Sequence, residues 1–399
     1  MIQLRTIDDL DVTGQTVLVR GDLNVPITKS QITNTRRVEH LIPTLKALAE
    51  RGAKVVILSH LGRPKNGTDL PLSLRHVHPQ LERILDHPVR FAQNCIGTEA
   101  KKMIDQSQPG DFILLENLRF HSGEVQNDPV FVEALAELGD LYVNDAFSCS
   151  HRAHASIEGL ARRLPSAAGH LLNKEVTTLY RILKTKSHST VILIGGIKSS
   201  TKIRPLSHLI RKVDTVILSG GMANTFLVAK GTSVGQSCYE PALLEHSLDI
   251  SAQACSLGCK MILPVDVVVA RSPHHPESAQ VTSVDDVPDD SMIVDIGPET
   301  VKAITKVLEE HSLIIWNGAL GVFERSPFDA GTMAVAQQIA RLTCNNSLIS
   351  IAGGGDTVAA LVKANVSKDF TYVSLAGGAL LEWLENENLP GISALRACA

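Results

Sequence analysis

The chain has 399 residues, 44% hydrophobic, 20% charged and 4% aromatic, and 38 Lys+Arg against 42 Asp+Glu leave a net charge of −4. Such a chain buries a large core in two or three domains, which excludes whole-chain disorder, and it lacks the basic excess of a nucleic-acid or membrane-surface binder. Every apolar run stops well short of the roughly 20 residues that span a bilayer, and the opening MIQLRTIDDLDVTG has no apolar core of a signal peptide, so a cytoplasmic protein is expected. The cysteines at 95, 149, 238, 255, 259, 344 and 398 are odd in number and scattered, which suits a reducing compartment rather than a disulfide framework.

Short β-branched runs recur along the chain, each closing on a polar residue or glycine. They are TVLVRGD (16–22), KVVILSH (54–60), DFILLEN (111–117), LYVNDA (141–146), STVILIGG (189–196) and TVILSGG (215–221). KMILPVDVVVA (260–270), MIVDIG (292–297), SLIIWNG (312–318), SLISIAGGG (347–355) and YVSLAGGA (372–379) complete the set. Val/Ile/Leu without alternation is what a strand needs when helices cover both faces of a parallel sheet. Helical patterns lie between the runs, among them 36–52, 129–139 and 331–342. The alternation predicts an α/β protein. Eleven strands exceed a comfortable single sheet, so two sheets are expected. The best seam is 165–188, with LLNKEVTTLYRILKT as a helix joining two lobes.

In open parallel sheets, ligands bind beyond the carboxyl ends of the strands. Those ends differ between the halves. The first supplies Asp22, Asn24, His60, Arg63, Asn117, Arg119, Asp145, His151 and Arg152, with Arg37 at a helix start. One arginine alone also suits a solvated surface, but several converging guanidiniums imply a small, multiply charged anion. The second half supplies glycine turns at 194–198, 219–225, 353–357 and 376–379. Glycine there lets backbone N–H groups and helix N-termini approach phosphates, so four such turns read as a nucleotide site. Asp356, after the triple glycine, is the candidate for Mg²⁺, which favours one or two carboxylates plus phosphate oxygens; it would equally serve as an ordinary helix cap. The P-loop motif is absent, as are a GxGxxG with a following acid and the protein-kinase HRD and DFG motifs. Gly231 to Gly235 matches GxSxG but follows a helical stretch, which does not suit a nucleophile elbow.

The motifs RGDLNVP (20–26), SHLGRPK (59–65), LLENLRFHSGE (114–124), NDAFSCSHRAHAS (144–156), GGIKSSTKI (195–203), DIGPET (295–300), WNGALGVFE (316–324) and GGGDT (353–357) strongly resemble the phosphoglycerate kinase family, in order and across essentially the whole chain. The resemblance implies two Rossmann-like lobes, each a parallel sheet flanked by helices, joined by a hinge helix. It implies an N-terminal domain of 1–168 plus a returning segment 385–399, a connecting helix 169–186, and a C-terminal domain of 187–384. The implied reaction moves the acyl phosphate of 1,3-bisphosphoglycerate to MgADP, giving 3-phosphoglycerate and MgATP, in a monomer that closes about its hinge. Phosphoglycerate would meet Asp22, Leu23, Asn24, Arg37, His60, Leu61, Gly62, Arg63, Arg119 and Arg152. Nucleotide would meet Gly196, Lys202, Gly220, Gly221, Asn317, Glu324, Gly354, Gly355, Asp356 and Thr357, with Asp356 at the metal. Arg37, Lys198 and the N–H groups at Gly377 and Gly378 would surround the migrating phosphoryl. Four places depart from the family pattern. Leu375-Ala376 replaces Thr-Gly, Ala319 replaces a turn proline, Thr201 stands where many members have Asp, and Ile293 replaces a frequent Gly near the adenine.

Overall fold

A computed structural model describes residues 4–28, 31–65, 67–184, 189–197, 199–200 and 202–396. Contacts divide the chain into two compact units, Met1–Lys184 with Asn388–Ala399, and Thr185–Glu387.

The first unit is built on a six-stranded parallel sheet. Its order is Val89–Ala92, Phe112–Leu115, Lys54–Leu58, Thr16–Arg20, Leu141–Asn144 and Ser166–Ala168. Thr16–Arg20 is central, in register with Lys54–Leu58 on one side and Leu141–Asn144 on the other. Val17, Leu18 and Val19 are fully buried, as the unalternating run requires. Helix Arg36–Glu50 lays Val38, Leu41, Leu45 and Leu48 on the sheet, the spacing of one helical face. The order of strands reverses beside Thr16–Arg20, so its carboxyl end is a topological switch point.

Helix His170–Lys184, expected to link the lobes, is seated on this unit. The buried Asp145 carboxylate, just past the strand Leu141–Asn144, accepts the Leu172 N–H at 3.0 Å. Burial pushes Asp145 up to about 6, against the hydrogen bonds it receives from Thr44, Leu172 and Leu171. Helix Pro390–Arg396 packs on the same unit, with the Gly391 N–H donating to Ser150 O at 2.9 Å.

The second unit carries a six-stranded parallel sheet ordered Lys260–Ile262, Thr215–Leu218, Thr190–Ile194, Leu313–Asn317, Ile349–Gly353 and Tyr372–Ser374. In chain order this is 3-2-1-4-5-6, the doubly wound arrangement whose switch point lies between the first and fourth strands. Those strands are Thr190–Ile194 and Leu313–Asn317, which pair directly. Trp316 is fully buried in the core beneath them.

Three parts of the strand reading need correction. The run 260–270 is two strands broken at Leu263-Pro264-Val265, and Asp266–Ala270 leaves the parallel sheet. It pairs antiparallel with Gln280–Ser283 and with Met292–Ile296, so 292–297 does not join the parallel sheet either. The reason is packing. Val267 and Val269 face Leu227 and Val234, while Val268 and Ala270 face Val294 and Phe328, so both faces are covered without a parallel neighbour. The edge strands Val89–Ala92, Ser166–Ala168 and Gln280–Ser283 were missed, because VRFA, SAA and QVTS lack long β-branched runs.

Candidate functional site

The anion-site residues of the first unit hang from the carboxyl end of its central strand. Asp22 is buried, and its Oδ2 takes Arg37 Nη1 at 2.8 Å together with the Ser148 hydroxyl. Its Oδ1 accepts the Asn24 N–H at 3.0 Å, which fixes the turn after the strand. Asn24 then joins two more elements: its Oδ1 accepts the Gly62 N–H at 2.8 Å, and its carbonyl accepts Arg37 Nη1 at 3.0 Å. Burial alone would raise the Asp22 carboxyl, but Arg37, His60, Ser148 and Asn24 outweigh it and hold it near 2. Gly62 adopts φ +62, and a Cβ there would come 2.7 Å from Leu72 Cδ2, so glycine is favoured at this corner. The buried neighbours Leu23 and Leu61 fill in beneath, with the Leu23 N–H bound by Ser59 Oγ at 2.9 Å.

Arg119 enters from the short helix after the strand Phe112–Leu115, where Asn117 Oδ1 holds its N–H at 3.0 Å and its Nη1 donates to Gly62 O at 2.7 Å. Arg152 donates from Nε to His151 Nε2 at 3.1 Å. Arg63 is exposed and has no hydrogen bond or ion pair among the described residues. The electrostatics of this unit are mixed: against burial, Cys149, Glu124 and Asp22 push the Arg20 guanidinium up, while three other basic groups are pushed down. Burial first, then Arg20 and Arg152, push the Arg119 guanidinium down to about 10, with Cys149 and Glu124 opposing. Burial and then Arg152, His154 and Arg119 push His151 down to about 4. His60 is depressed well below its ordinary value by burial and by Arg20, against Asp22. Guanidiniums gathered at one strand end, beside two imidazoles whose charged forms are disfavoured, suit an incoming anion.

Two residues here escaped the sequence reading. Arg20 is 1% exposed; its Nη2 stands 3.0 Å from His60 Nδ1, its Nε donates to Ser156 Oγ at 2.9 Å, and Nη1 donates to Gly21 O. Glu124 is fully buried and accepts the Ser156 N–H at 2.9 Å and its hydroxyl at 2.7 Å, with His154 Nδ1 at 3.6 Å. An arginine as the last residue of an otherwise apolar central strand was the available signal for the first. Glu124 gave none. Asp22, His60 and Cys149 bring metal-ligand atoms within 4.8 Å of one another. Arg37 and Arg20 already occupy the carboxylate and the imidazole, and two guanidiniums at that range oppose a cation.

In the second unit the glycines line the switch point. Gly196 and Gly220 have φ of +97 and +59. A Cβ on Gly221 would lie 2.3 Å from Ile197 O, so the helix Gly220–Ala229 starts against bare backbone. Asn317, at the end of its strand, donates through Nδ2 to Gly353 O at 2.9 Å and to Gly377 O at 3.3 Å, tying the two glycine loops together. Thr357 Oγ1 accepts the Gly318 N–H at 2.7 Å and donates to Gly353 O at 2.9 Å. Gly354 takes φ +102, and the helix Gly355–Lys363 begins with open space at Gly355 and an exposed Asp356. Lys202 Nζ donates to Gly195 O and to Asn317 O at 3.3 Å. Burial pulls it down to about 8, with Asp356 pulling the other way. Lys202 and Asp356 therefore feel one another across the glycine loops. An exposed carboxylate with no hydrogen bond or ion pair among the described residues, beside N–H groups suited to phosphate, fits a magnesium-bound nucleotide.

Gly377 and Gly378 stand at the start of helix Gly378–Glu385. Ala376, in place of glycine, avoids positive φ, and its N–H is held by Ser374 Oγ at 3.1 Å. Ala319 accepts the Gly196 N–H at 2.9 Å through its carbonyl, a bond that a proline would also permit. Glu324 is exposed on the loop whose Phe323 carbonyl takes Lys363 Nζ at 2.8 Å, at the far end of the Asp356 helix. Ile293 packs with Leu227, Val234 and Val267. Lys198 and Thr201 lie outside the described residues.

Arginines and histidines gathered at the strand ends of one α/β unit, and glycine turns at the switch point of the other, suit a phosphotransferase class of protein that handles small molecules. Comparison with known proteins makes this specific. The family model for phosphoglycerate kinase matches residues 7–387. The phosphoglycerate kinase of Chelativorans sp. (strain BNC1) is 50% identical over 397 residues, covering 99% of this chain and all of that one. That of Rhizobium leguminosarum bv. trifolii is 48% identical over 398 residues, with both chains fully covered. Among solved structures, the phosphoglycerate kinase of Coxiella burnetii superposes with a TM-score of 0.81 at 39% identity, covering 99% of each chain. The enzyme of Pyrococcus horikoshii gives 0.86 at 28% identity, also over 99% of each. The chain belongs to the phosphoglycerate kinase family. No helix among the described residues is long and apolar enough to cross a membrane.

Proposed function

We propose that the chain transfers the acyl phosphate of 1,3-bisphosphoglycerate reversibly and directly to MgADP, giving 3-phosphoglycerate and MgATP, as a cytoplasmic monomer in glycolysis. The observation that carries this reading is the hydrogen-bonded group at the end of the first unit's central strand, where Asp22, Asn24 and Gly62 anchor Arg37 and Arg119. Burial and neighbouring arginines disfavour the charged forms of His60 and His151 and lower Arg119 to about 10, still charged at neutral pH, and a phosphate placed beside the guanidiniums offsets that cost. His60, Arg63, Arg119 and Arg152 hold the phosphate that stays, while Asp22 and Asn24 take the hydroxyl and carboxylate. Gly354, Gly355 and Thr357 hold the nucleotide phosphates, with Asp356 as the carboxylate for magnesium. When bound there, the ion would supply charge neutralisation on those phosphates.

Phosphoryl transfer needs alignment and charge stabilisation more than a protein nucleophile. Arg37 and Lys198, with the N–H groups at Gly377 and Gly378, serve as donors to the charge that spreads over the migrating group. Arg37 is held ready by its pair with Asp22 and its bond to Asn24 O. Direct transfer leaves no phosphoenzyme. The test is coupled turnover of 3-phosphoglycerate with ATP, with and without Mg²⁺, and acid-quenched protein after incubation with γ-labelled ATP. Magnesium-dependent turnover, unlabelled protein, and a kcat lowered on the order of 10²–10³ in Arg37→Ala are expected. Full kcat in Arg37→Ala, or label retained on protein, overturns the mechanism.

A further inference from the structure

Arg20 ends the central strand of the first unit and is enclosed by protein, yet none of the proposed roles uses it. Every arm of its guanidinium is engaged: Nε donates to Ser156 Oγ at 2.9 Å, Nη1 donates to Gly21 O, and Nη2 stands 3.0 Å from His60 Nδ1. Ser156 is itself held, its hydroxyl donating to Glu124 Oε1 at 2.7 Å and its N–H to Glu124 Oε2 at 2.9 Å. The guanidinium therefore cannot swing away from the His60 ring without breaking two other bonds. What arginine can do decides the chemistry of that contact. A guanidinium carries only N–H donors, has no acceptor and stays charged. For the contact to be a hydrogen bond, His60 Nδ1 must present its lone pair, and the one proton of the neutral ring then lies on Nε2. The Nδ1–H tautomer would set donor against donor, and an imidazolium would add two like charges at that same 3.0 Å. Burial and then Arg20 oppose a charge on the ring; Asp22 favours one, and Arg119 and Arg37 add to the opposition. His60 Nε2 makes no hydrogen bond among the described residues.

We propose that Arg20 is a positioning residue that fixes His60 as the Nε2–H tautomer, so that the ring meets the phosphate of phosphoglycerate as a neutral hydrogen-bond donor. The positive charge facing the anion then comes from the arginines, and the imidazole contributes direction. Because the proton already sits on the nitrogen left free, binding and release of the anion need no proton transfer at His60. The inference rests on the reading that the phosphate lies at His60, and it adds the state of the ring and the residue that sets it.

The experiment is nitrogen-15 NMR of the full chain with labelled histidine at neutral pH, without and with 3-phosphoglycerate. His60 is assigned as the ring whose signals vanish in His60→Gln. A protonated Nε2 and a bare Nδ1 are expected in both samples, with the Nε2–H signal shifting when 3-phosphoglycerate is added. Arg20→Lys should keep that pattern, since an ammonium also only donates. Arg20→Gln supplies a carbonyl that can accept, so the Nδ1–H form should appear, and KM for 3-phosphoglycerate should rise about threefold to tenfold with kcat changed less. A proton on Nδ1 in the unmodified protein, or an unchanged tautomer in a folded Arg20→Gln, overturns the role given to Arg20; the first result decides it even where Arg20→Gln does not fold. Binding of 3-phosphoglycerate that leaves every His60 signal in place would instead overturn the placement of the phosphate on which the inference rests.

Discussion

Thr357→Val removes one hydroxyl while keeping a β-branched side chain of nearly the same shape. Thr357 is fully buried, and its Oγ1 is the acceptor for the Gly318 N–H and a donor to Gly353 O. The two partners do not lose equally. Gly353 O keeps the Asn317 Nδ2 donor at 2.9 Å, whereas the Gly318 N–H has no second acceptor among the described residues. One orphaned buried donor costs about 1–3 kcal/mol, so the expected loss is about 2 kcal/mol. Both tryptophans of the chain, Trp316 and Trp383, are fully buried in the second unit. Tryptophan fluorescence during urea unfolding therefore reports on that unit alone. With a slope of about 2 kcal/mol per molar urea, the midpoint should fall by about 1 M. Thr357→Ser retains the hydroxyl and should lose less than half as much. A valine variant as stable as the parent, or a serine variant as weak as valine, would refute the assigned bonding.

Other perturbations test neighbouring parts of the account. Glu124→Gln disturbs the buried acceptor that holds 154–156 beside the cradle; it should lower stability by about 1–3 kcal/mol and raise KM for 3-phosphoglycerate more than it lowers kcat, and steady-state kinetics showing the reverse would remove its positioning role. Burial raises Asp295 from 3.8 to about 7, opposed by hydrogen bonds from Gly331 and Ile296. A raised carboxyl favours folding while it is protonated, so the Asp295 contribution to stability is fully present below pH 3.8 and is lost as pH rises through about 7, by up to about 4 kcal/mol. Asp295→Asn keeps an acceptor for the Gly331 N–H and should flatten that slope between pH 4 and pH 8; an unchanged slope excludes Asp295 as its source. Gly221→Ala drives a Cβ against Ile197 O, so KM for ATP should rise and the unit should lose about 1–3 kcal/mol, measured by kinetics and by the same fluorescence.

Much of the fold was legible because its decisive strands announce themselves. TVLVR and LIIWN are buried on both faces and show no alternation, and each ends at a switch point. What stayed hidden follows from the same signal. An antiparallel strand covered on both faces, as at Asp266–Ala270, has the same pattern as a parallel one, and edge strands such as Ser166–Ala168 need no β-branched residues at all. At the site, residues named by their side-chain chemistry, Asp22, Asn24, Arg37 and Arg119, fall within one hydrogen-bonded group. The supporting shell was not readable in the same way. Glu124 and Ser156 are separated by 32 residues and meet only because two short helices, Ser122–Gln126 and Ala155–Gly159, pack together, and neither residue type marks a buried role.

The central claim is that anion and nucleotide are held by separate residue sets on the two units of one chain. Calorimetric titration of 3-phosphoglycerate and of MgADP into Arg119→Ala and Asp356→Ala tests it most directly. Arg119→Ala should weaken 3-phosphoglycerate by about tenfold or more, the scale of losing one charge-assisted bond, with MgADP unchanged, and Asp356→Ala should do the converse. Equal weakening of both ligands by either substitution, or of neither, would contradict it.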